Sequence, residues 1–436
     1  MTQAPMVNAY TQGAGTLSPQ DQARIARRAR LLGPAYRLFY ETPVHLVRGE
    51  GVWLYDADGH AYLDCYNNVA SLGHCHPHVV AATARQSALY ASHTRYLNDT
   101  VLDYAERLLA TFPPDLSHLM FTCTGSEAND LALRIAFAHT GGTGVIVTEN
   151  AYHGVTLATA ALSPSLGAGV PLGPHIRTVP APDANFTAHV QAAINDLTRH
   201  GSKPAALLVD TIFSSDGIHT DPPGFLHPAA AAIRAAGGLF IADEVQPGFA
   251  RTGSHMWGFQ RHDLIPDMVS LGKPMGNGYP VAGLVLRPEV IAAFAAKTRY
   301  FNTFGGNAVA AATAMAVLEV IEAEGLQANA AKVGGYFRDG LRALATTHDS
   351  LGPLRGAGLF LGQDIVTDGQ PDAARAARVV NALRQNRILI SATGPLGHTL
   401  KIRPPLVFSP AHVDQVLAGL SGALAVAAMD RAHPPP

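Results

Sequence analysis

A chain of 436 residues has room for one large α/β domain with a smaller companion, or for about three domains of ordinary size. With 47% hydrophobic and 15% charged residues it has ample apolar side chain for a core, which excludes a largely disordered chain. Thirty-one Lys and Arg against 33 Asp and Glu leave a formal charge of −2, so no global attraction to nucleic acid or to anionic membranes is available.

The first thirty residues are polar and lack the apolar stretch of a secretory signal. Ser18-Pro19-Gln20-Asp21 reads as the start of a surface helix carrying Arg24, Arg27, Arg28 and Arg30, in preference to a transit peptide. No apolar run approaches the roughly 18 residues that span a bilayer, so no membrane segment is expected. Three cysteines, Cys65, Cys75 and Cys123, are too few and too odd for a disulfide framework and point to a reducing, cytoplasmic setting.

From residue 117 to 290, apolar runs at 119–123, 145–148, 205–210, 239–242, 268–271 and 281–286 alternate with helical patterns. Such alternation predicts an α/β fold with a mostly parallel sheet covered by helices on both faces. An Ala-rich stretch at 307–339 reads as one long helix or a pair. Strands expected at 356–365, 388–392 and 399–402 and a last helix at 411–429 make a smaller α+β domain. The expected division is an N-terminal segment, 1–60, contributing to the small domain; a large domain, 61–310; and a C-terminal small domain, 311–436. The only low-complexity pieces are Ala-rich helices and the terminal Pro434-Pro435-Pro436.

Candidate chemistry collects where strands end. Thr122-Cys123-Thr124-Gly125-Ser126-Glu127-Ala128-Asn129-Asp130 follows a strand and opens a helix, so the free amides of the first turn and the Ser126 hydroxyl form a site for a phosphate. The same residues contain a Thr-x-x-Glu capping box, Thr124 with Glu127, which would merely stop the helix fraying. Gly141-Gly142-Thr143-Gly144 precedes a strand and reads as a loop. Two further strands run out at Asp243-Glu244 and, through Gly272, at Lys273-Pro274, the edge where open α/β sheets bind ligands. A lysine shielded from water and near other positive charge can attack a carbonyl, and an aspartate can keep a heteroaromatic nitrogen protonated. A phosphate cradle, an amine nucleophile and an acidic partner for a ring nitrogen together match pyridoxal 5′-phosphate.

The motifs Thr124-Gly125-Ser126-Glu127-Ala128-Asn129, Tyr152-His153-Gly154, Asp243-Glu244-Val245-Gln246, Arg251-Thr252-Gly253, Gly272-Lys273 and Thr303-Phe304-Gly305-Gly306-Asn307 occur in the order and approximate spacing of the class III aminotransferases. The resemblance runs from about residue 51 to the last helix. It implies PLP-dependent fold type I, with Lys273 carrying the cofactor as a Schiff base, Asp243 on the pyridinium nitrogen and Gln246 near the ring hydroxyl. Gly125 and Ser126 would hold the phosphate, Tyr152 would lie on the ring face, and Thr303 would reach the phosphate of the neighbouring subunit of a homodimer. The implied reaction is ping-pong transfer of an amino group from an amine or amino acid to a 2-oxo acid such as pyruvate.

Finer features, Asp64-Cys65-Tyr66-Asn67-Asn68-Val69-Ala70, Gly73-His74-Cys75-His76-Pro77, Arg95-Tyr96-Leu97 and Lys401-Ile402-Arg403-Pro404-Pro405, are similar to the branch that holds alanine-glyoxylate aminotransferase 2 and the phospholyases of phosphoethanolamine and phosphohydroxylysine. The cluster His74, Cys75, His76 and His78 lacks a second matching pair, so it reads as a turn and no metal is expected. Two departures bear on substrate choice. Asp210 stands where many members have the glutamate of a Glu-Pro-x-x-Gly stretch, and Lys401 where many have an arginine that clamps a carboxylate. Lysine cannot make that planar two-pronged contact, though it can meet a phosphate or phosphonate, and Arg403 lies two residues on. Asn68, Asp210, Lys401 and Arg403 are therefore the candidate substrate residues. The rival reaction is elimination of ammonia and a β leaving group from an aminoalkyl phosphate or phosphonate. A catalytically silent binding subunit and a dehydrogenase are the remaining readings; the latter lacks a Gly-x-Gly-x-x-Gly joining strand to helix.

Overall fold

The computed structural model describes residues 6, 8–13 and 15–429; Pro434-Pro435-Pro436 lies outside them. Its centre is a seven-stranded sheet in the order His118–Thr122, Ala282–Leu286, Met268–Leu271, Leu239–Asp243, Pro204–Asp210, Gly144–Thr148 and Ile176–Val179. Ala282–Leu286 runs antiparallel to both its neighbours and the remaining pairs are parallel. Alternate residues of a strand serve opposite faces. Val145 and Val147 join Leu131 and Ile135 of helix Gly125–Thr140 on one side, while Ile146 joins a larger core with Val190 and Ile194 of helix Phe186–Arg199 on the other. Double coverage explains why these strands read as continuous apolar runs. Ile176–Val179, a four-residue edge strand with Arg177 and Thr178 half-buried, has no such run and was not expected.

Two further sheets are present. Leu46–Glu50, Trp53–Asp56 and Ala61–Asp64 form an antiparallel meander that Ile388–Leu389 joins in parallel, so the N-terminal piece is stitched to the C-terminal part of the chain. Ala61–Asp64 lies beyond the boundary expected at residue 60. The one expected at 311 falls inside helix Ala308–Ala323, which packs on helices Pro77–Leu89 and Asp99–Leu109. The other sheet contains Leu351–Ala357, Phe360–Thr367, Thr399–Ile402 and Ser391–Thr393.

Two expected strands are corrected here. The run 356–365 is a hairpin, turned at Gly358, whose φ of +54° and closeness to the Thr252 backbone exclude a side chain. The run 388–392 changes sheets at Ile390, pairing first with Leu63 and Asp64 and then with Leu400 and Lys401. A third correction concerns Pro410–Ala428, which by length and composition is apolar enough to cross a membrane, although no such run was expected. Its stripe of Val413, Val416, Leu420 and Leu424 is buried in the core, and the helix packs on Ala373–Gln385.

Candidate active site

The carboxyl ends of the central strands carry Gly125, Ser126, Asp210, Asp243 and Lys273 to one cleft, while Asn68, Lys401 and Arg403 are not among the residues that line it. Lys273 begins a 3-10 turn directly after Met268–Leu271 and Gly272. Its φ of +36° is a conformation a lysine adopts only under constraint from its surroundings, as functional residues often do. Burial lowers its ammonium pKa to about 8; Arg403 adds to the shift, and Asp243 and Asp210 pull the other way.

Asp243 closes the neighbouring strand. Burial pushes its carboxyl pKa up, but hydrogen bonds and charge from its surroundings prevail and hold it below the ordinary carboxylate value. One oxygen accepts from His153 Nδ1 at 2.7 Å and from Asn129 Nδ2 at 2.9 Å, and the other from the Val245 amide at 3.1 Å. Asn129 Nδ2 also donates to the His153 carbonyl at 2.9 Å, so the amide locks both partners. Asp210 lies opposite Asp243 in register on the next strand. Burial and the Asp243 charge raise its pKa, while the amides of Ile212 and Ser214 bond one oxygen each.

Gly125 and Ser126 open helix Gly125–Thr140 and line the same cleft as Lys273 and Asp243. The capping box is present: Thr124 Oγ1 accepts from the Glu127 amide, and Glu127 Oε2 accepts from those of Thr124 and Cys123. Capping and anion binding are compatible, because the first-turn amides of Gly125 and Ser126 have no partner in their own helix. A Cβ at Gly125 would stand 2.7 Å from Val245, and one at Gly154 2.7 Å from Ser126. Only glycine leaves that corner open.

Tyr152 and Gln246 also line the cleft. Gln246 is committed at both ends of its amide, Nε2 donating to Ser214 Oγ and Oε1 accepting from Arg403 Nη1, while its carbonyl accepts from Asn68 Nδ2 at 2.9 Å. Arg403 lies over the Tyr66 ring at 4.4 Å. Lys401 is buried, with Nζ 5.8 Å from the centre of the Phe360 ring, and burial with the nearby Arg403 holds its ammonium pKa well below the ordinary lysine value. Among the described residues neither cation has a carboxylate within salt-bridge distance. Thr303 does not line this cleft; it is exposed on a loop shaped by Asn302 Oδ1, which accepts from the Phe304 and Gly305 amides. The His-Cys turn spreads its side chains apart: His74 meets Asp64, His76 meets Glu324 and His78 meets Glu319.

Sequence reasoning missed Asn129, His153, Ser214 and Tyr66. The first two stood inside recognised motifs without a role, and only the fold shows that both converge on Asp243.

Residues 39–424 match the family described as Aminotransferase class-III. The chain belongs to the class III aminotransferases. A Drosophila melanogaster protein named alanine–glyoxylate aminotransferase 2-like is 39% identical, the alignment covering 93% of this chain and 88% of the relative. A Caenorhabditis elegans protein named ethanolamine-phosphate phospho-lyase homolog 1 is 35% identical over 92% of each. A phospholyase from Arthrobacter, solved in complex with phosphoethanolamine, superposes with a TM-score of 0.90 at 43% identity, covering 92% of this chain and 99% of that one.

Class III aminotransferases depend on pyridoxal phosphate, and this cleft suits it: a glycine-walled helix start for the phosphate, an anionic carboxylate for the ring nitrogen, and an amine of lowered pKa. Only the neutral amine attacks an aldehyde. Covalent capture of added pyridoxal phosphate by the cofactor-free protein is therefore expected to accelerate as pH rises, half-maximally near 8. Stopped-flow absorbance would record it, and a rate still climbing about tenfold per pH unit up to pH 10 would contradict the lowered pKa.

Proposed function

We propose that this enzyme moves an amino group between a small amine or amino acid and a 2-oxo acid such as pyruvate, in two half-reactions. The observation that carries the proposal is the placing of the Lys273 amine, with its lowered pKa, in one cleft with an aspartate held anionic by His153 and Asn129. Pyridoxal phosphate, when bound, supplies an aldehyde that captures amines and a ring that takes up an electron pair. With the cofactor bound, Lys273 Nζ would hold its aldehyde carbon, would be freed by the incoming amine, and would serve as the base that takes the proton from the substrate Cα and delivers it to that cofactor carbon, across the intervening nitrogen. Asp243 would stabilise positive charge at the ring nitrogen, Tyr152 would cover the ring, and Gly125 and Ser126 would hold the phosphate.

A second reaction is favoured by the buried basic side chains Lys401 and Arg403, which among the described residues have no carboxylate within salt-bridge distance, and by the likeness to the Arthrobacter phospholyase. With a phosphate on the neighbouring carbon, the electrons freed by proton removal expel it, and hydrolysis of the product releases ammonia. One panel separates the two. Holoenzyme given amino acids, ω-amines and aminoalkyl phosphates or phosphonates should form alanine from pyruvate without free ammonia if it transfers. Ammonia and phosphate released without an oxo acid would instead establish elimination.

A homodimer is part of the proposal, with Thr303 of each subunit reaching the other's phosphate site. Its support is the exposed loop position of Thr303 and the apolar Tyr96, Leu97 and Phe304, 65%, 97% and 70% exposed. A cytoplasmic location is proposed from the three unpaired cysteines.

A further inference from the structure

Arg251 is fully buried at the end of a strained approach, with Phe249 at φ +59° and Ala250 at φ +66°. Its Nη1 donates to the carbonyls of Pro404 and Leu359, and its own carbonyl accepts from the Leu359 amide at 3.1 Å. The turn at Gly358 presses on the same backbone, where a Cβ would stand 2.6 Å from the Arg251 carbonyl oxygen. One residue therefore grips both the Leu351–Ala357/Phe360–Thr367 hairpin and the chain immediately after Arg403. Nε and Nη2 find no partner, and among the described residues no carboxylate lies within salt-bridge distance of the guanidinium. A buried, half-satisfied cation is costly and could be replaced by an apolar side chain if packing were its only service.

The neighbouring charge suggests what it does. Arg403 faces Arg251 closely enough to add to the lowering of its pKa, which burial brings to about 9. Arg403 itself has a buried Nε without a partner. Two like charges are held close together, and the second is kept in place by the Tyr66 ring, by Gln246 and by the backbone that Arg251 grips.

We infer that Arg251 is a positioning residue for substrate recognition: by clamping the Pro404 and Leu359 carbonyls it holds the Arg403 guanidinium against Gln246, which lines the cleft, to receive an anionic group on the tail of the amine substrate. The inference rests on the reading of Arg403 as a substrate residue, and it adds a partner outside the cleft. It assigns Arg251 no contact with the reacting atoms.

The test is a titration of holoenzyme, following the cofactor's visible band, with phosphoethanolamine and β-alanine as anionic-tailed amines and propylamine as an uncharged one. Arg251→Met is expected to weaken apparent binding of the anionic amines about tenfold and to leave propylamine within twofold, with the band before addition unchanged. Arg251→Lys keeps the charge but its side chain is one bond shorter than the reach to Nη1, which bonds both carbonyls, so a smaller loss in the same direction is expected; this variant also serves if the methionine fails to fold. Combined with Arg403→Met, either variant should add no further loss, since both act through one guanidinium. Equal losses for all three amines, wild-type affinity in both variants, or full additivity with Arg403→Met would overturn the inference. Arg403→Met that binds the anionic amines normally would refute the anion-binding role of Arg403, a failure distinguishable from that of the clamp and fatal to both.

Discussion

Lys273→Ala is expected to lower turnover at least about 10⁴-fold, because one nitrogen serves both as covalent anchor and as the base that moves the Cα proton. The fold should survive. The change removes a buried ammonium whose desolvation already depresses its pKa to about 8, so the native state loses a costly charge along with its contacts. The strained φ of +36° is kept by the backbone around it and remains strained in alanine. Lys273→Arg should be no more active, since a guanidinium stays protonated at any working pH and forms no stable imine. The measurement is single-turnover absorbance with reconstituted protein, together with borohydride reduction and peptide mapping. A variant within tenfold of wild type, or a reduced adduct on another lysine, would remove Lys273 from the centre of the mechanism.

Much of the site was legible because its parts lie at strand ends, and the buried strands are apolar runs that need no tertiary knowledge to find. Asp243 and Lys273 each terminate such a run, and Gly125 and Ser126 follow one. What could not be read is what long-range folding brings together. His153 and Asn129 reach Asp243 from 90 and 114 residues away, and Arg403 meets Gln246 across 157. The hairpin at Gly358 reads as one strand because Ala357, Leu359, Phe360 and Leu361 continue an apolar run across the turn, and only the positive φ and the Thr252 backbone beside it show the turn. The sheet change at Ile390 left no mark at all, since Ile388, Leu389 and Ser391 are buried whichever sheet they join. Thr303 illustrates the other limit. Its motif was visible, but its target belongs to a second chain by the reading proposed above, and one chain holds it exposed.

Asp243→Asn is expected to slow the half-reaction with amine about 10³-fold while cofactor still binds, the size seen when one preorganised electrostatic contact to a reacting system is removed. The loss of charge is the main effect: among the described residues the other carboxylate lining the cleft is Asp210, whose pKa burial raises. Geometry adds to it. The wild-type carboxylate accepts from three donors, His153 Nδ1, Asn129 Nδ2 and the Val245 amide. An asparagine offers one oxygen, so in either orientation its NH₂ meets a donor. His153 can relieve the clash by changing tautomer, whereas Asn129 Nδ2 is also tied to the His153 carbonyl and cannot turn without giving up that bond. His153→Gln in the Asp243→Asn background should therefore change the rate far less than it does in wild type, because the charge it supports is already gone. Single-turnover rates for the four proteins of this cycle decide the matter. An Asp243→Asn rate within tenfold of wild type, or fully independent effects at the two positions, would show that the ring nitrogen is served by another group.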